Sequence, residues 1–162
     1  MSQYVDQFIE VDGVRVRYWA SGERGPHLLL IHGLGAAVEY WQFILPQLSQ
    51  HFRVIALDLP GFGKTSAPGT VDFSLSYFAS FVKSFTDTLG LESFYLAGHS
   101  LGGGICLQLS LDYPGSVEKL FLINSVGFSL QVTIMFRLMS LPILGRFMLY
   151  VSKKVYARAL RF

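Results

Sequence analysis

Several things are scarce in this chain, and each shortage excludes something. Among 162 residues only Cys106 is a cysteine, which rules out an intramolecular disulfide and a cysteine-built zinc site and fits a reducing compartment. Charged residues make up 15% against 51% hydrophobic ones, a balance that argues against disorder and suffices for one ordinary domain with a core. The opening residues Met1-Ser2-Gln3-Tyr4-Val5-Asp6 contain no basic stretch leading into an apolar one. No secretory signal is therefore expected, and a cytoplasmic location is the default. No residue pattern supports a metal site, and no cofactor is expected. No acid lies beyond Glu118 and no histidine beyond His99.

What is present divides unevenly. Residues 1–118 hold six Lys/Arg against eleven Asp/Glu, a net −5, whereas residues 119–162 hold seven Lys/Arg and no acid, a net +7. The basic part spreads its charges among apolar residues and resembles no nucleic-acid module. A mean hydropathy of +0.42 implies either a membrane association or a surface that something else covers.

Short apolar runs alternate with helical patterns. The stretch Val11 to Trp19 reads as two strands joined at Asp12-Gly13, with Val14, Val16 and Tyr18 at strand period. Leu28 to Ile31, Arg53 to Leu57, Phe94 to Ala97 and Leu120 to Ile123 read as buried strands. Glu39 to Gln50 is helical in composition, although Pro46 must start a new turn or kink it. Between Leu75 and Leu89 the residues Leu75, Phe78, Val82, Phe85 and Leu89 share one helical face, with Gly90 as the stop. Leu101 to Tyr113 is a further helix, closed by Pro114-Gly115. This order predicts an α/β fold, a three-layer sandwich around a mostly parallel twisted sheet.

Gly98-His99-Ser100-Leu101-Gly102 falls between a predicted strand and a predicted helix, which is the context a nucleophile elbow requires. A serine there sits on a turn sharp enough to strain its backbone, so Ser100 is expected at positive φ. Side chains in place of Gly98 and Gly102 would collide. The helix that follows aims backbone N–H groups at a developing oxyanion. His32-Gly33-Leu34-Gly35 follows the strand at Leu28 to Ile31, and Asp58-Leu59-Pro60-Gly61-Phe62-Gly63-Lys64-Thr65 follows the next.

Through these three blocks, in this order and spacing, residues 8–126 resemble the α/β-hydrolase superfamily, in particular its lipase-esterase and ring-cleavage-hydrolase members. The resemblance implies a serine hydrolase acting on a small ester or related acyl substrate. Ser100 would be the nucleophile, and the amides of Leu34 and Leu101 the oxyanion hole. It also implies strand order 1-2-4-3-5-6-7-8, of which this chain would supply the first six. Residues 1–126 would then be the amino-terminal part of the core, and residues 127–162 the start of a lid. Strand 6 would be an apolar open edge.

The supporting residues have plainer readings. His32 is expected to order its loop by bonding to nearby backbone, His99 to be scaffold for the elbow, Asp58 to order the Gly61–Gly63 turn, and Cys106 to be a small buried hydrophobe.

The chain departs from the superfamily after Ser100. The pattern there is Ser, then Asp or Glu, then His, but only Asp112 and Glu118 follow, and no histidine. Asp112 lies on the helix leading away from the elbow and Glu118 at the wrong end of its strand. Asn124, at the favourable end, is an amide and cannot stabilise an imidazolium as a carboxylate does. The expectation is thus a truncated serine hydrolase, the alternative being an inactive fragment or interaction protein.

Two other modules fit worse. A dinucleotide fingerprint starting at Gly33 finds Val38 where its third glycine belongs, and a phosphate loop ending at Gly63-Lys64-Thr65 finds Asp58 where its first glycine belongs. For the segment 128–162 a lid is favoured over peripheral membrane contact. Exposed apolar surface predicts self-association of the chain on its own.

Overall fold

A computed structural model describes residues 4–68 and 73–126. The chain divides into two units, Met1–Ser125 and Val126–Phe162. The first is described below, and the lid and membrane readings of 128–162 lie outside the described residues.

Six strands run β1 Gln7–Val11, β2 Val14–Ser21, β3 His27–Ile31, β4 Arg53–Leu57, β5 Phe94–His99 and β6 Val117–Ile123. They form one sheet in the order β1-β2-β4-β3-β5-β6. The β1–β2 and β2–β4 pairs are antiparallel, and the β4–β3, β3–β5 and β5–β6 pairs parallel. The first turn is set by its sequence, since Asp12 at φ 49° and Gly13 at φ 76° give the two left-handed residues that a tight hairpin needs.

Helices cover both faces. On one face a 3-10 turn at Val38–Trp41 and a single helical turn α1, Leu45–Leu48, pack Val38, Trp41 and Leu45 against Trp19, Leu28, Leu30, Val54, Ala56 and Ala97. The expected helix over 39–50 is thus two short pieces. Pro46 sits at the start of the second piece, where its missing N–H costs nothing, but its ring bars a continuous helix from the first.

On the other face lie α2, Leu75–Thr88, and α3, Leu101–Asp112, packed on each other and on the sheet. In α2 the Ser74 side chain caps the Tyr77 amide at 3.1 Å. Phe78, Val82 and Phe85 are buried, as their spacing requires, while Leu75 and Leu89 at the ends are half-buried. Gly90 at φ 71° ends the helix. The arrangement is the three-layer α/β sandwich.

The two faces of β2 are both covered. Val16 is buried on the α2 side, where Tyr18 meets Phe85 edge-on at 5.6 Å, while Arg17 and Trp19 are buried on the other side. Strand β6 ends the described sheet, with Phe121 46% and Ile123 42% exposed.

Candidate active site

In-register pairing carries the site. Ile31 on β3 lies opposite Gly98 on β5 and Leu57 on β4, so the loops after three parallel strands leave the sheet side by side at its carboxyl end, where such folds place their sites.

Ser100 is the residue between β5 and α3, at φ 53° and ψ −115°. These are the angles of the first central residue of a type II′ turn, a place normally taken by glycine. Its amide donates to the Ile123 carbonyl at 3.0 Å, and its carbonyl accepts from the Gly103 amide at 3.0 Å. The turn is therefore tied both to β6 and to the first turn of α3. A Cβ on Gly98 would lie 2.3 Å from the Gly102 carbonyl oxygen, and one on Gly102 2.3 Å from the Ile31 carbonyl oxygen. Both positions must be glycine for strand and helix to pack this closely. The Ser100 side chain is half-buried.

The His32–Gly35 turn faces the elbow. A Cβ on Gly33 would stand 3.2 Å from the Ser100 Cβ and 3.1 Å from His99 Nδ1. Leu34 follows directly, and Leu101 opens α3, so both amides belong to segments that adjoin Ser100. Neither amide donates to a carbonyl or side chain among the described residues.

His32 is fully buried, with Nδ1 2.8 Å from the Gly33 carbonyl oxygen and Nε2 accepting from the Leu59 amide at 3.0 Å. Those partners fix the neutral form with the proton on Nδ1. Burial pushes its pKa down to about 4, against the smaller upward pulls of the Gly33 carbonyl and Glu39. His99 stacks on Tyr40 at 4.7 Å. Its Nδ1 is buried without a hydrogen-bond partner among the described residues, and burial lowers its pKa. Cys106 is buried in α3 and its thiol pKa is pushed up by burial.

A sequence profile described as the alpha/beta hydrolase fold matches residues 26–155. The chain belongs to that family.

Within the alpha/beta hydrolase fold family the chain is 43% identical over 122 residues to the dihydrolipoyllysine-residue acetyltransferase component of the acetoin cleaving system of Cupriavidus necator, covering 75% of this chain and 32% of that protein. It is 36% identical over 137 residues to the 2-hydroxy-6-oxo-6-(2'-aminophenyl)hexa-2,4-dienoic acid hydrolase of Metapseudomonas resinovorans, covering 81% and 46%. Among solved structures it is similar to a bacterial membrane phospholipase A, with a TM-score of 0.74 and 34% identity over 78% of this chain and 41% of that one. The chain thus spans less than half the length of these relatives.

Of the other sequence candidates, Asp112 and Glu118 lie away from the elbow, whereas Asn124 directly follows Ile123, which pairs with His99. Asp112 ends α3 and accepts from Gln108, while Glu118 accepts from Ser93 Oγ at 2.6 Å. Pairing puts Glu118 at the start of β6 and Ile123 beside His99, roughly 17 Å along the strand at about 3.3 Å per residue. Asn124 is exposed, at φ 46°. No group of three or more His, Cys, Asp or Glu among the described residues could hold a metal, and no helix among them is long and apolar enough to cross a membrane.

Asp58 does more than order the Gly61–Gly63 turn. It is fully buried and accepts from the Val38 amide at 2.7 Å and the Lys64 amide at 2.8 Å, with Arg17 Nη1 at 3.3 Å. Burial pushes its pKa up more than those donors pull it down. Arg17 itself went unnoticed in the sequence. The one available signal was its place beside Trp19 on a strand whose other face already carried Val14, Val16 and Tyr18.

Proposed function

We propose that Ser100 is the nucleophile of a serine hydrolase acting on a small ester or related acyl substrate, and that this chain supplies the nucleophile and the oxyanion hole. The observation that carries the reading is the Ser100 backbone at φ 53° and ψ −115°, between a parallel strand and the N-terminus of α3. A strained serine in that position lifts its hydroxyl off the sheet toward substrate. The relatives named as a hydrolase and a phospholipase support the same class of chemistry.

In this mechanism Ser100 Oγ forms a bond to the substrate carbonyl carbon while the π electrons move onto the carbonyl oxygen. The amides of Leu34 and Leu101 hold that oxyanion, helped by the positive end of α3. Collapse expels the leaving group, and water then hydrolyses the acyl-serine. The Ser100 proton must pass to a base. His32 has both nitrogens engaged, and no described histidine bonds to the Ser100 hydroxyl, so none of them is placed as that base.

That last point also favours a second reading, in which residues 1–162 alone are inactive and act as a binding partner. Hydrolysis of a short-chain nitrophenyl ester by the chain and by Ser100→Ala separates the two. Loss of triad members leaves only about 10³–10⁴ of acceleration over water, and loss of one oxyanion donor costs about 10²–10³. Slow turnover that Ser100→Ala abolishes supports the hydrolase reading. Turnover identical in both proteins overturns it for this chain.

A further inference from the structure

A buried charge cluster stands three strands away from Ser100, on the row of the sheet that carries the site. Arg17 is 2% exposed, and each of its three guanidinium nitrogens meets a different carboxylate. Nε meets Asp6 at 2.6 Å, Nη2 meets Glu39 at 2.6 Å and Nη1 meets Asp58 at 3.3 Å. The second Asp6 oxygen takes Lys64 Nζ at 2.6 Å, and Trp19 Nε1 donates to the first at 2.8 Å. A Cβ on Gly63 would lie 2.0 Å from Asp58 Oδ2, so even the loop opposite is shaped around this carboxylate.

Burial of this kind is a poor source of net stability, because the desolvation of the ions offsets most of their attraction. What such a cluster fixes well is geometry. The turn between β3 and the 3-10 helix has two ends. At the first, His32 is tied to Leu59. At the second, the Val38 amide is tied to Asp58 and the Glu39 carboxylate to Arg17. Leu34 lies between the two anchors. With the second one gone, the polar ties left to the turn would be His32 and its own bond from the Ala36 amide to the Gly33 carbonyl.

We propose that Arg17 is a positioning residue, which acts through Asp58 and Glu39 to hold the Leu34 amide against the elbow. Its catalytic meaning rests on the hydrolase reading above, whereas its mechanical meaning does not. Arg17 touches no substrate, since three strand spacings of about 4.8 Å separate it from the elbow. A lysine keeps the charge but cannot address three carboxylates in a plane.

The test is amide hydrogen exchange on residues 1–162, resolved at Ala36, whose amide donates to the Gly33 carbonyl at 3.2 Å, at Val38 and at the sheet residues Leu30 and Ala97, in the wild type, Arg17→Lys and Glu39→Ala. A fluorophosphonate provides a second readout through its rate of Ser100 labelling. Positioning predicts that exchange at Ala36 and Val38 rises about ten-fold in both variants while Leu30 and Ala97 change far less, with labelling slowed to a similar degree. A purely structural role predicts that all four amides rise together, and that outcome, or no change at Ala36 and Val38, overturns the proposal. Glu39 is partly exposed, so Glu39→Ala decides the question if Arg17→Lys does not fold. Absence of labelling in the wild type would count against the hydrolase reading, and the exchange pattern would still decide the role of Arg17.

Discussion

The two loops that meet at Gly33 and Ser100 are held by opposite means. The elbow is fixed through the backbone, with Ser100 hydrogen-bonded to Ile123 and Gly103, glycines packed against backbone at Gly98 and Gly102 and no side-chain hydrogen bond capping α3. The 32–38 turn is fixed by buried polar groups, namely His32, Asp58 and, behind them, Arg17. The first arrangement is sensitive to volume and indifferent to pH. The second is sensitive to protonation and to the loss of a single partner.

The sharpest way to test that contrast is to add volume at the elbow. Gly102→Val places a branched side chain on the Ile31 and His32 carbonyls, which are backbone and cannot swing aside. We expect a loss of about 3 kcal/mol or more, read as a collapse of the urea midpoint. A well-folded Gly102→Val protein would show that β3 and α3 have room to separate.

Protonation tests the other loop. His32 titrates near 4 in the folded chain and near 6.5 when unfolded, so the unfolded state binds the proton first. Its contribution to stability is therefore complete above pH 6.5 and is lost as pH falls from 6.5 toward 4, to a total of about 3 kcal/mol. Urea titrations over that range should show the decline in the wild type and a flatter profile in His32→Gln. Equal slopes in the two would place the acid sensitivity elsewhere. Asp6 acts lower on the scale. Although burial pushes its pKa up, bonds from Lys64, Trp19 and Arg17 hold it at about 2, so its share is present above about pH 4 and is lost between there and 2.

The smallest effect should come from the outer rim of the same cluster. The Lys64 side chain is 59% exposed where it meets Asp6, and Lys64→Ala should change stability by no more than about 0.5 kcal/mol. A loss several times larger would mean that the cluster is held from outside rather than from Arg17.

What could be read from the sequence followed how local the cause was. The elbow was legible because five consecutive residues carry it, and the hairpin because Asp12-Gly13 does. Strands β3 and β4 were legible because a strand buried on both faces is a plain apolar run. The strand order, by contrast, came from resemblance, since nothing near residue 28 announces that it pairs with residue 95. Arg17 was missed for the same reason, its partners being 11, 22 and 41 positions away. The division of 38–48 into two short helical pieces was only half visible. Pro46 marked the break, but the burial of Val38, Trp41 and Leu45 against the sheet, which sets where each piece lies, depends on the whole face. The stack of His99 on Tyr40 likewise joins residues that no local pattern relates.

The backbone angles of Ser100 place a conflict of selection at one codon. A non-glycine residue held there costs on the order of 1–3 kcal/mol, part of which a glycine would recover despite its greater freedom in the unfolded chain. Ser100→Gly should therefore unfold at a urea concentration equal to or above that of the wild type, and a clearly lower midpoint would mean that the turn is unstrained. If the strain is real, a lineage of this fold released from the need for the hydroxyl would drift toward Gly-His-Gly-Leu-Gly. Its descendants would fold at least as well and have nothing left to attack with.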